Sequence, residues 1–521
     1  MSRDKAAFSP WRAYLWPIHA HEFRKFLPLL LMAFFIGFNY NILRNMKDTL
    51  LVTAESSGAE VLPFIKVWGI VPGAFLMTLV YSRLNNRLKR DRLFYCMISI
   101  FLVFFTLFTF VVYPIRDHLH PHETADFLQG YLPSGFKGFI AMFRYWTFSS
   151  FYIMSELWSS TILSMLFWGF ANEVTRLGEA KRFYGFIAVG MNFASITSGQ
   201  VSVLLSGGYF RSQTALTDNQ WNQSIILLTV VVLLCGIAIM AIYRYLTQKT
   251  AFQEGIFNES KGAKSSSKIK MSMRENFSYL VRSKYMLSIA FVVLAYNIVI
   301  CLVEVIWKDQ VRQLHPNPND FNAYMSQVTT IIGIISLCIS LLVTGQVIRK
   351  FGWTFAALAT PIILAVTSVA FFFFFFGKDH LAGALAAVGT TPLALVVFCG
   401  SLQNCFCRAA KFTLFDSTKE IAFIPLSRES MLKGKAAIDG VGSRLGKSGG
   451  SLIHQGLLMA FSTISASAHI VSIILFVVVG FWIAIILSLG KQFKQLTAAK
   501  PKPSPIVEES IKAPVLETAI E

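Results

Sequence analysis

The sequence predicts an all-α membrane protein of twelve transmembrane helices, arranged as two six-helix halves. Three observations support this prediction. Hydrophobic residues make up 54% of the 521 residues, and charged residues only 14%. Apolar runs long enough to cross a bilayer, which takes about 20 residues, recur along the whole chain. Connections rich in Lys and Arg alternate with connections that hold few cations, as expected when every second loop faces the cytoplasm.

Hydropathy, with charged residues marking the ends of each run, gives the positions of the twelve spans. The fourth and the tenth are long, so their ends are expected to project beyond the hydrocarbon. The predicted spans are residues 26–46, 61–82, 93–113, 139–174, 183–206, 223–245, 285–307, 323–348, 353–376, 383–414, 434–461 and 468–490.

The distribution of cations predicts the topology. The first apolar run follows a cationic segment and precedes no small-residue cleavage site, so it is interpreted as a retained helix and not a signal peptide. Positive-inside bias places both termini in the cytoplasm. The predicted parts are a cytoplasmic segment 1–25, an N-terminal half 26–246, a cytoplasmic linker 247–284, a C-terminal half 285–490 and a cytoplasmic tail 491–521.

The two halves begin with related sequences. "FNYNILRNMKD" (38–48) lies in the first predicted span, and "LAYNIVICLVEVIWKD" (294–309) lies in the seventh. Both are built around Tyr-Asn-Ile. Two parallel six-helix halves joined by a long cytoplasmic linker are typical of a major-facilitator-like transporter, in which the substrate binds between the halves near mid-membrane.

Composition argues against several other classes of protein. The formal net charge of +19 is divided among loops that flank apolar spans, so no nucleic acid is expected as a partner. The seven cysteines all lie in apolar segments, which favours packing residues over disulfides or a metal site. The histidines of 118–122 are interpreted as a polar loop. No metal and no cofactor is predicted.

The stretch "DGVGSRLGKSGG" (439–450) resembles a phosphate-binding loop without matching it. Gly446-Lys447-Ser448 is present, but a P-loop needs a further glycine five residues before the first of these, and none is there. Residues 434–461 instead predict one glycine-rich membrane helix, in which small residues permit close helix approach. An ATP-hydrolysing enzyme is therefore not predicted, and any phosphate would meet side-chain charges.

Charged residues inside the spans are the candidate functional residues, because each is costly in a membrane unless it faces protein or water. Three cation pairs share an i, i+3 spacing, which puts both members on one helix face: Arg44/Lys47, Arg408/Lys411 and Arg444/Lys447. The cations outnumber the carboxylates and come from both halves. Such a cavity suits a substrate with several negative charges, and phosphate is the obvious group.

The candidate residues fall into three groups. Predicted phosphate ligands are Lys66, Arg144, Arg408, Lys411, Arg444 and Lys447. Predicted coupling or gating carboxylates are Glu156, Glu304 and Asp439. Predicted base-pocket residues are Tyr40, Tyr152, Asn192 and Tyr296.

Structural alternatives remain open for several of these charges. Glu304 and Lys308, at i, i+4, could simply pair on the helix surface near the membrane edge. Lys308, Arg44 and Lys47 lie near predicted span ends, from which long cationic side chains can extend to water. Lys447 could form an internal salt bridge with Asp439, two helical turns away.

Four stretches resemble one family: "LLVTAESSGAEVLPFIKVW" (50–68), "ELWSSTILSMLFWGFANEVTRLGEAKRFYG" (156–185), "LVEVIWK" (302–308) and "KGKAAIDGVGSRLGKSGG" (433–450). Together they are similar to the ATP/ADP translocases of obligate intracellular bacteria and plastids. The resemblance covers roughly residues 23–495. It implies exchange of host ATP for bacterial ADP and phosphate, and the lack of a transit peptide favours a bacterial inner-membrane protein over a plastid one.

The resemblance also implies four charged positions associated with transport. They fall on Lys66, Glu156, Glu304 and, for the distal lysine, Lys447. Three other lysines compete for the last position: Lys419, Lys433 and Lys435.

The predicted mechanism is antiport by alternating access, performed by a monomer. Cations of both halves bind the phosphates, and apolar and aromatic side chains hold the base. The runner-up is a proton-coupled importer of a nucleoside triphosphate or of NAD with the same fold, in which Glu156 or Glu304 carries the proton.

Overall fold

The computed structural model describes residues 18–19, 21–175, 177–207, 219–250, 283–342, 344–387, 389–426, 434, 438 and 443–498. Four residues named in the sequence analysis fall outside this description, namely Lys433, Lys435, Asp439 and the side chain of Arg444. The described chain is almost entirely helical. Its long helices are α1 Phe23–Val52, α2 Val61–Arg87, α3 Arg90–Val112, α4 137–174, α5 Leu177–Ser206, α6 Gln220–Tyr245, α7 Lys284–Leu314, α8 Pro318–Leu342, α9 Thr344–Gly377, α10 Pro392–Ala422, α11 Ser443–Phe461 and α12 Ile464–Ala498.

Ten helices within the described ranges are long and apolar enough to cross a membrane. The predicted all-α membrane class is therefore confirmed. The helices α4 and α11 are not among the ten. Backbone angles of φ −103° and ψ 48° at Tyr145 interrupt α4, and the continuous described part of α11 begins only at Ser443. The count of twelve spans stays a prediction.

Two helices extend further than hydropathy predicts. The first span was expected to end at residue 46 and the seventh at 307, but α1 continues to Val52 and α7 to Leu314. Buried charges lie in both extensions. Because these charges pair with one another, they do not have to reach water, and each helix continues past them. The tenth helix begins later than predicted, at Pro392, where Thr391 Oγ1 accepts a hydrogen bond from the Ala394 amide.

Of the five π-helical segments in the described residues, three lie close to a predicted functional charge. Ile65–Ile70 in α2 contains Lys66. Ser159–Phe167 in α4 starts three residues after Glu156, and Lys411–Phe415 in α10 starts three residues after Arg408. A π-helical turn holds one residue more than an α-helical turn and is found mostly at functional sites. Three of the irregularities therefore lie beside residues that the sequence singles out, whereas Phe108–Val112 in α3 and Leu246–Thr250 after α6 do not.

The two halves meet at one end of the bundle, where α1 ends and α2 begins; we call this the closed end. There α5 packs along α8, and α11 packs against α2. A Cβ on Gly199 of α5 would lie 2.2 Å from Thr330 Oγ1 of α8, so only glycine permits this approach. Hydrogen bonds between the halves at this end include Gln200 to Thr330, Ser224 to Asn319, Asn322 to Ser206, Gln455 to Pro63 and Trp68 to Gln455.

The connection between α3 and α4 also reaches the other half. It contains the helix His122–Tyr131 and a short turn at Ser134–Phe136. Ser134 Oγ donates a hydrogen bond of 2.7 Å to Ser462 Oγ, just after α11. A Cβ on Gly135 would lie 2.5 Å from the Met459 Cα. This connection therefore belongs to the closed end.

A buried histidine in this connection gives it a pH-dependent stability. His120 is 6% exposed, and its Nε2 lies 2.6 Å from Thr147 Oγ1. Burial, aided by the neighbouring His122, lowers the pKa of His120 from 6.5 to about 4. The folded state therefore excludes a proton that the unfolded chain binds below pH 6.5. The contribution of neutral His120 to the free energy of unfolding is complete above that pH and is lost as the pH falls toward 4.

We expect His120→Gln to reduce the dependence of stability on pH. Lowering the pH from about 7 to about 5 should lower the melting temperature of the wild type more than that of the variant, because only the wild type must protonate His120 on unfolding. Thermal unfolding of the detergent-solubilised protein measures this difference. His118→Gln, an exposed neighbour, is the matched control. Equal pH dependence in His120→Gln and the wild type would contradict the assignment.

Candidate functional site

A network of ion pairs joins the two halves at the closed end, and Glu304 of α7 is its centre. Glu304 Oε2 lies 3.1 Å from the Lys66 Nζ of α2. Its other oxygen, Oε1, lies 3.0 Å from the Lys308 Nζ one turn along α7 and 3.0 Å from the Arg408 Nη2 of α10. One carboxylate therefore holds three cations, which come from both halves.

A second carboxylate, Asp48 of α1, continues the network. Asp48 Oδ2 lies 2.7 Å from Lys308 Nζ, and Oδ1 lies 3.1 Å from Lys47 Nζ. The Lys47 ammonium lies 3.5 Å from Glu156 Oε2 of α4 and 3.6 Å from the centre of the Tyr152 ring. The chain of charges therefore runs from Lys66 and Arg408 through Glu304, Lys308, Asp48 and Lys47 to Glu156.

Exposure changes systematically along the network. The side chain of Glu156 is 24% exposed, and those of Lys66 and Arg408 are 17% exposed. In the middle, Lys308 is 1% exposed and Asp48 0%. A solute between the halves can therefore reach the ends of the network, whereas the middle is sealed. Because four cations share three carboxylates, the network can accept further negative charge.

Local structure fixes the positions of the cations at the exposed ends. Arg408 Nε donates to Asn404 Oδ1 at 2.8 Å, one turn earlier in α10, which orients the guanidinium toward Glu304. Lys66 belongs to the π-helical turn of α2, and its Nζ also lies 3.8 Å from Cys301 Sγ. Arginine offers two parallel donors to a phosphate, and lysine offers a compact charge. The arrangement can hold a phosphorylated anion.

Lys447 lies in a regular helical part of α11 and faces the same cluster. Its side chain is exposed and interacts electrostatically with Glu156, Lys66 and Lys411. Its ammonium makes no hydrogen bond or ion pair to a residue that the structure describes. Residues 443–450 of the near-match to a P-loop are therefore helical, in agreement with the helix predicted over 434–461.

The glycines beside Lys447 bring α11 against α7. A Cβ on Gly446 would lie 2.7 Å from the Asn297 Cβ, and one on Gly450 would lie 2.9 Å from the Cys301 Cβ. Such distances exclude a larger side chain unless the helices separate. The close helix approach that the sequence predicts here is confirmed.

Other predicted residues lie at the edge of the cluster. Lys411 Nζ is 3.5 Å from Asp416 Oδ2 and 4.8 Å from the centre of the Phe412 ring. Tyr40 is partly buried and interacts electrostatically with Glu156 and Arg408. Tyr152 is 1% exposed, and Lys47 covers its ring.

Three predicted residues have their described contacts elsewhere. Arg144 pairs with Asp126 and forms a hydrogen bond with Gln129. Both partners lie in the helix His122–Tyr131 of the connection between α3 and α4, which we call the outer connection. The Tyr296 ring packs against Phe415 and Trp482 inside the C-terminal half. Asn192 lies where α5 meets α8, with its carbonyl oxygen against Gly333. Their surroundings are accounted for by packing and by the outer connection.

Two structural alternatives for the buried charges are contradicted. Glu304 and Lys308 do pair at 3.0 Å, but Lys308 is 1% exposed and also bonds Asp48 of the other half, so this is no pair at the membrane edge. Lys47 is 3% exposed and is held by two carboxylates, so it does not extend to water.

Asp48, Lys47 and Lys308 are absent from the site residues predicted from the sequence, although all three are central to the network. A signal for them is present in the internal repeat. Both related segments contain Lys-Asp near their ends, at 47–48 and at 308–309. A Lys-Asp pair that recurs in the first helix of both halves marks positions where buried charges can compensate each other.

Comparison with known proteins identifies close relatives. The family model described as TLC ATP/ADP transporter matches residues 1–493. "ADP,ATP carrier protein 2" of Chlamydia pneumoniae is 47% identical over 502 residues, which cover 94% of this chain and 93% of that protein. "ADP,ATP carrier protein 1, chloroplastic" of Arabidopsis thaliana is 40% identical over 494 residues, covering 95% and 78% respectively.

A solved structure with a similar fold is the crystal structure of a D-xylose–proton symporter. It gives a TM-score of 0.51 at 15% identity and covers 89% of this chain and 97% of the symporter. At this identity the likeness concerns the fold alone, and it confirms the predicted major-facilitator-like class.

Proposed function

The chain belongs to the TLC ATP/ADP transporter family, and from this premise we propose that it exchanges ATP for ADP by alternating access. Its relatives are named carriers, and the chain is accordingly a membrane transporter and not an enzyme. The direction that follows from the resemblance is import of host ATP and export of ADP, with inorganic phosphate as a possible companion of ADP in the exchange. The protein acts as a monomer in the bacterial inner membrane.

One observation carries the proposal: cations from both halves meet in one network, in surplus over its carboxylates. Lys66 and Arg408 lie on opposite halves and share Glu304. A nucleotide that bridges them would contact both halves at once, as alternating access requires. Sugars and neutral amino acids offer no charge that would balance this surplus.

The site residues take distinct roles under this proposal. Lys66, Arg408 and Lys447 bind the phosphates, with Lys411 at the edge of the cluster and Arg444 as the further ligand that the sequence predicts. Glu156 and Glu304 hold these cations in place and exchange them with the substrate. Among the predicted base-pocket residues, Tyr152 contacts Lys47 of the network, and Tyr40 interacts electrostatically with Glu156 and Arg408. We assign Arg144 to the outer connection instead, because Asp126 and Gln129 hold it there.

The positive-inside rule supports cytoplasmic termini, so the closed end faces away from the cytoplasm. ADP then enters from the cytoplasm, at the end of the bundle opposite these contacts. In the opposite state the closed end would separate and admit ATP. The contacts of Gly199 and Gly135 between the halves are those that would have to part.

Counterflow in proteoliposomes tests the proposal. We expect uptake of labelled ATP to rise at least about tenfold when the vesicles contain ADP, which corresponds to about 1.4 kcal/mol of barrier. A protonophore should have little effect, because nucleotide in each direction neutralises the cations. Vesicles loaded with adenosine are the matched control. Equal uptake into vesicles without nucleotide, abolished by the protonophore, would instead identify a proton-coupled nucleotide importer.

A further inference from the structure

We propose that Asp48 makes the exchange obligatory, because its bond to Lys308 holds the closed end together until nucleotide phosphates release it through Glu304. The inference rests on the proposed exchange of nucleotides and adds the residue that couples binding to opening. Asp48 itself is a positioning residue, since at 0% exposure it cannot touch the substrate.

The last turns of α1 attach to the other half along a single helix face. Asn45 Nδ2 donates to Ser326 Oγ at 3.1 Å, and Thr49 Oγ1 donates to Asn322 Oδ1 at 3.4 Å. Asp48 lies between these two on the same face, by its i+3 spacing from Asn45. It supplies the charged bond in this row, and its partner Lys308 belongs to α7. We call this row, Asn45, Asp48 and Thr49, the latch.

Lys308 is shared by two carboxylates, one from each half. Its ammonium lies 2.7 Å from Asp48 in one half and 3.0 Å from Glu304 in its own half. Glu304 divides its attraction among three cations, two of which are Lys66 and Arg408. The strength of the bond between Lys308 and Asp48 therefore depends on how many other cations Glu304 holds.

Phosphate binding changes that occupancy. Lys66 and Arg408 are the partly exposed cations, and a phosphate that takes them leaves Glu304 with Lys308 alone. Electrostatic attraction in a buried site is strong, so Glu304 then competes more effectively for Lys308. Asp48 retains Lys47 at 3.1 Å and so is not left without a counter-charge. The bond between the halves weakens only when a polyanion is bound.

The latch explains why a carrier without substrate would not return to the state in which the closed end is open. The negative charge that releases Lys308 comes from the nucleotide, and ATP and ADP both supply it. Removing the charge of Asp48 should make opening of the closed end independent of nucleotide binding, because this end would then part without phosphate. A carrier altered in this way would leak nucleotide in one direction while it still binds it.

Efflux from preloaded vesicles tests the coupling when the carrier is inserted with its closed end toward the lumen, because the empty carrier must then open that end to return for the next nucleotide. In the wild type, release of labelled ATP should depend on external ADP. In Asp48→Asn, release into nucleotide-free buffer should rise at least about tenfold, corresponding to about 1.4 kcal/mol lost from the closed state. The apparent affinity for ATP should change little, since Asp48 does not contact it. Asp309→Asn is the matched control, because the hydrogen bonds of Asp309 in the described part of the chain go to Gln310 and Gln313 of its own helix.

A double-mutant cycle identifies the partner. Lys308→Met should also raise release without ADP. If the two residues act through one bond, the double variant should leak no more than the stronger single variant, because coupled residues are not additive. Additive leaks would overturn the pairing.

Cross-linking at the closed end provides a readout that needs no transport. Ser134 and Ser462 hydrogen-bond across the halves at 2.7 Å, so cysteines at both positions should form a disulfide when this end is closed. The exposed Cys338 is replaced by Ala beforehand. We expect ADP to lower the yield in the otherwise wild-type protein, and Asp48→Asn to lower it without ADP.

The outcomes separate this inference from the proposed function. If the wild type shows no ADP-dependent release, the proposed exchange fails, and the disulfide yield alone decides whether Asp48 holds the closed end. If exchange is present while Asp48→Asn keeps both the ADP dependence and the disulfide yield of the wild type, the latch is refuted. If folded Asp48→Asn protein showed wild-type nucleotide release but a low disulfide yield, the coupling between Asp48 and exchange would be refuted as well.

Discussion

Replacing Glu304 with glutamine is expected to slow ATP/ADP exchange by at least about tenfold and to tighten nucleotide binding at the same time. Two effects of the lost charge act together. Lys66 and Arg408 become free to hold phosphate, and Lys308 is left to Asp48 alone, so the closed end parts less readily. The carrier should therefore bind well and turn over slowly.

Steady-state uptake, with the maximal rate and the half-saturating concentration measured separately, distinguishes this outcome from simple misfolding. Glu179→Gln is the control, because Glu179 pairs with Lys25 at 2.7 Å within the N-terminal half. If Glu304→Gln raised the half-saturating concentration while leaving the maximal rate intact, Glu304 would not compete with phosphate, and its central place in the network would be structural.

The contrast between Glu304 and Asp48 shows what a sequence can reveal about such a network. Glu304 lies inside the seventh predicted span, where a charge is conspicuous. Asp48 lies where hydropathy places the end of the first span, so it looks like an ordinary boundary charge. Only the fold shows that α1 continues to Val52 and that Lys308 of the other half meets Asp48.

Arg144 illustrates the opposite difficulty. Its position inside a predicted span suggests a cavity charge, but a span position does not specify which face of the helix a residue occupies. Asp126 and Gln129 come from a polar connection whose path the sequence pattern does not reveal. The helical class and the clustering of Lys66, Glu156 and Glu304 follow from hydropathy, charge and family resemblance, because these depend on local composition. Pairing partners depend on helix rotation and tertiary contact.

Lys447→Ala is expected to weaken the binding of ATP and ADP alike, about tenfold to a hundredfold. A charge-assisted hydrogen bond to phosphate contributes about 1.5–3 kcal/mol, and both nucleotides present phosphates. Binding of adenosine should change much less. Lys447→Arg should be only partly tolerated, because a planar fork replaces a compact charge.

Equilibrium binding of labelled ATP, ADP and adenosine to the purified protein measures these effects. Lys491→Ala removes an exposed lysine of α12 and serves as the control for net charge. Normal ATP binding by an unstable Lys447→Ala protein would favour a structural salt bridge with Asp439. The phosphate role would then pass to Lys66 or Arg408.

The π-helical segments of α4 and α10 occupy matching places in the two halves. Each belongs to the fourth helix of its half, and each begins three residues after a charge of the network, Glu156 in one and Arg408 in the other. An extra backbone residue shifts every side chain beyond it by about 100° around the helix. In both halves, the side chains that follow the network charge therefore point to a different side of the helix from the one a regular α-helix would give them.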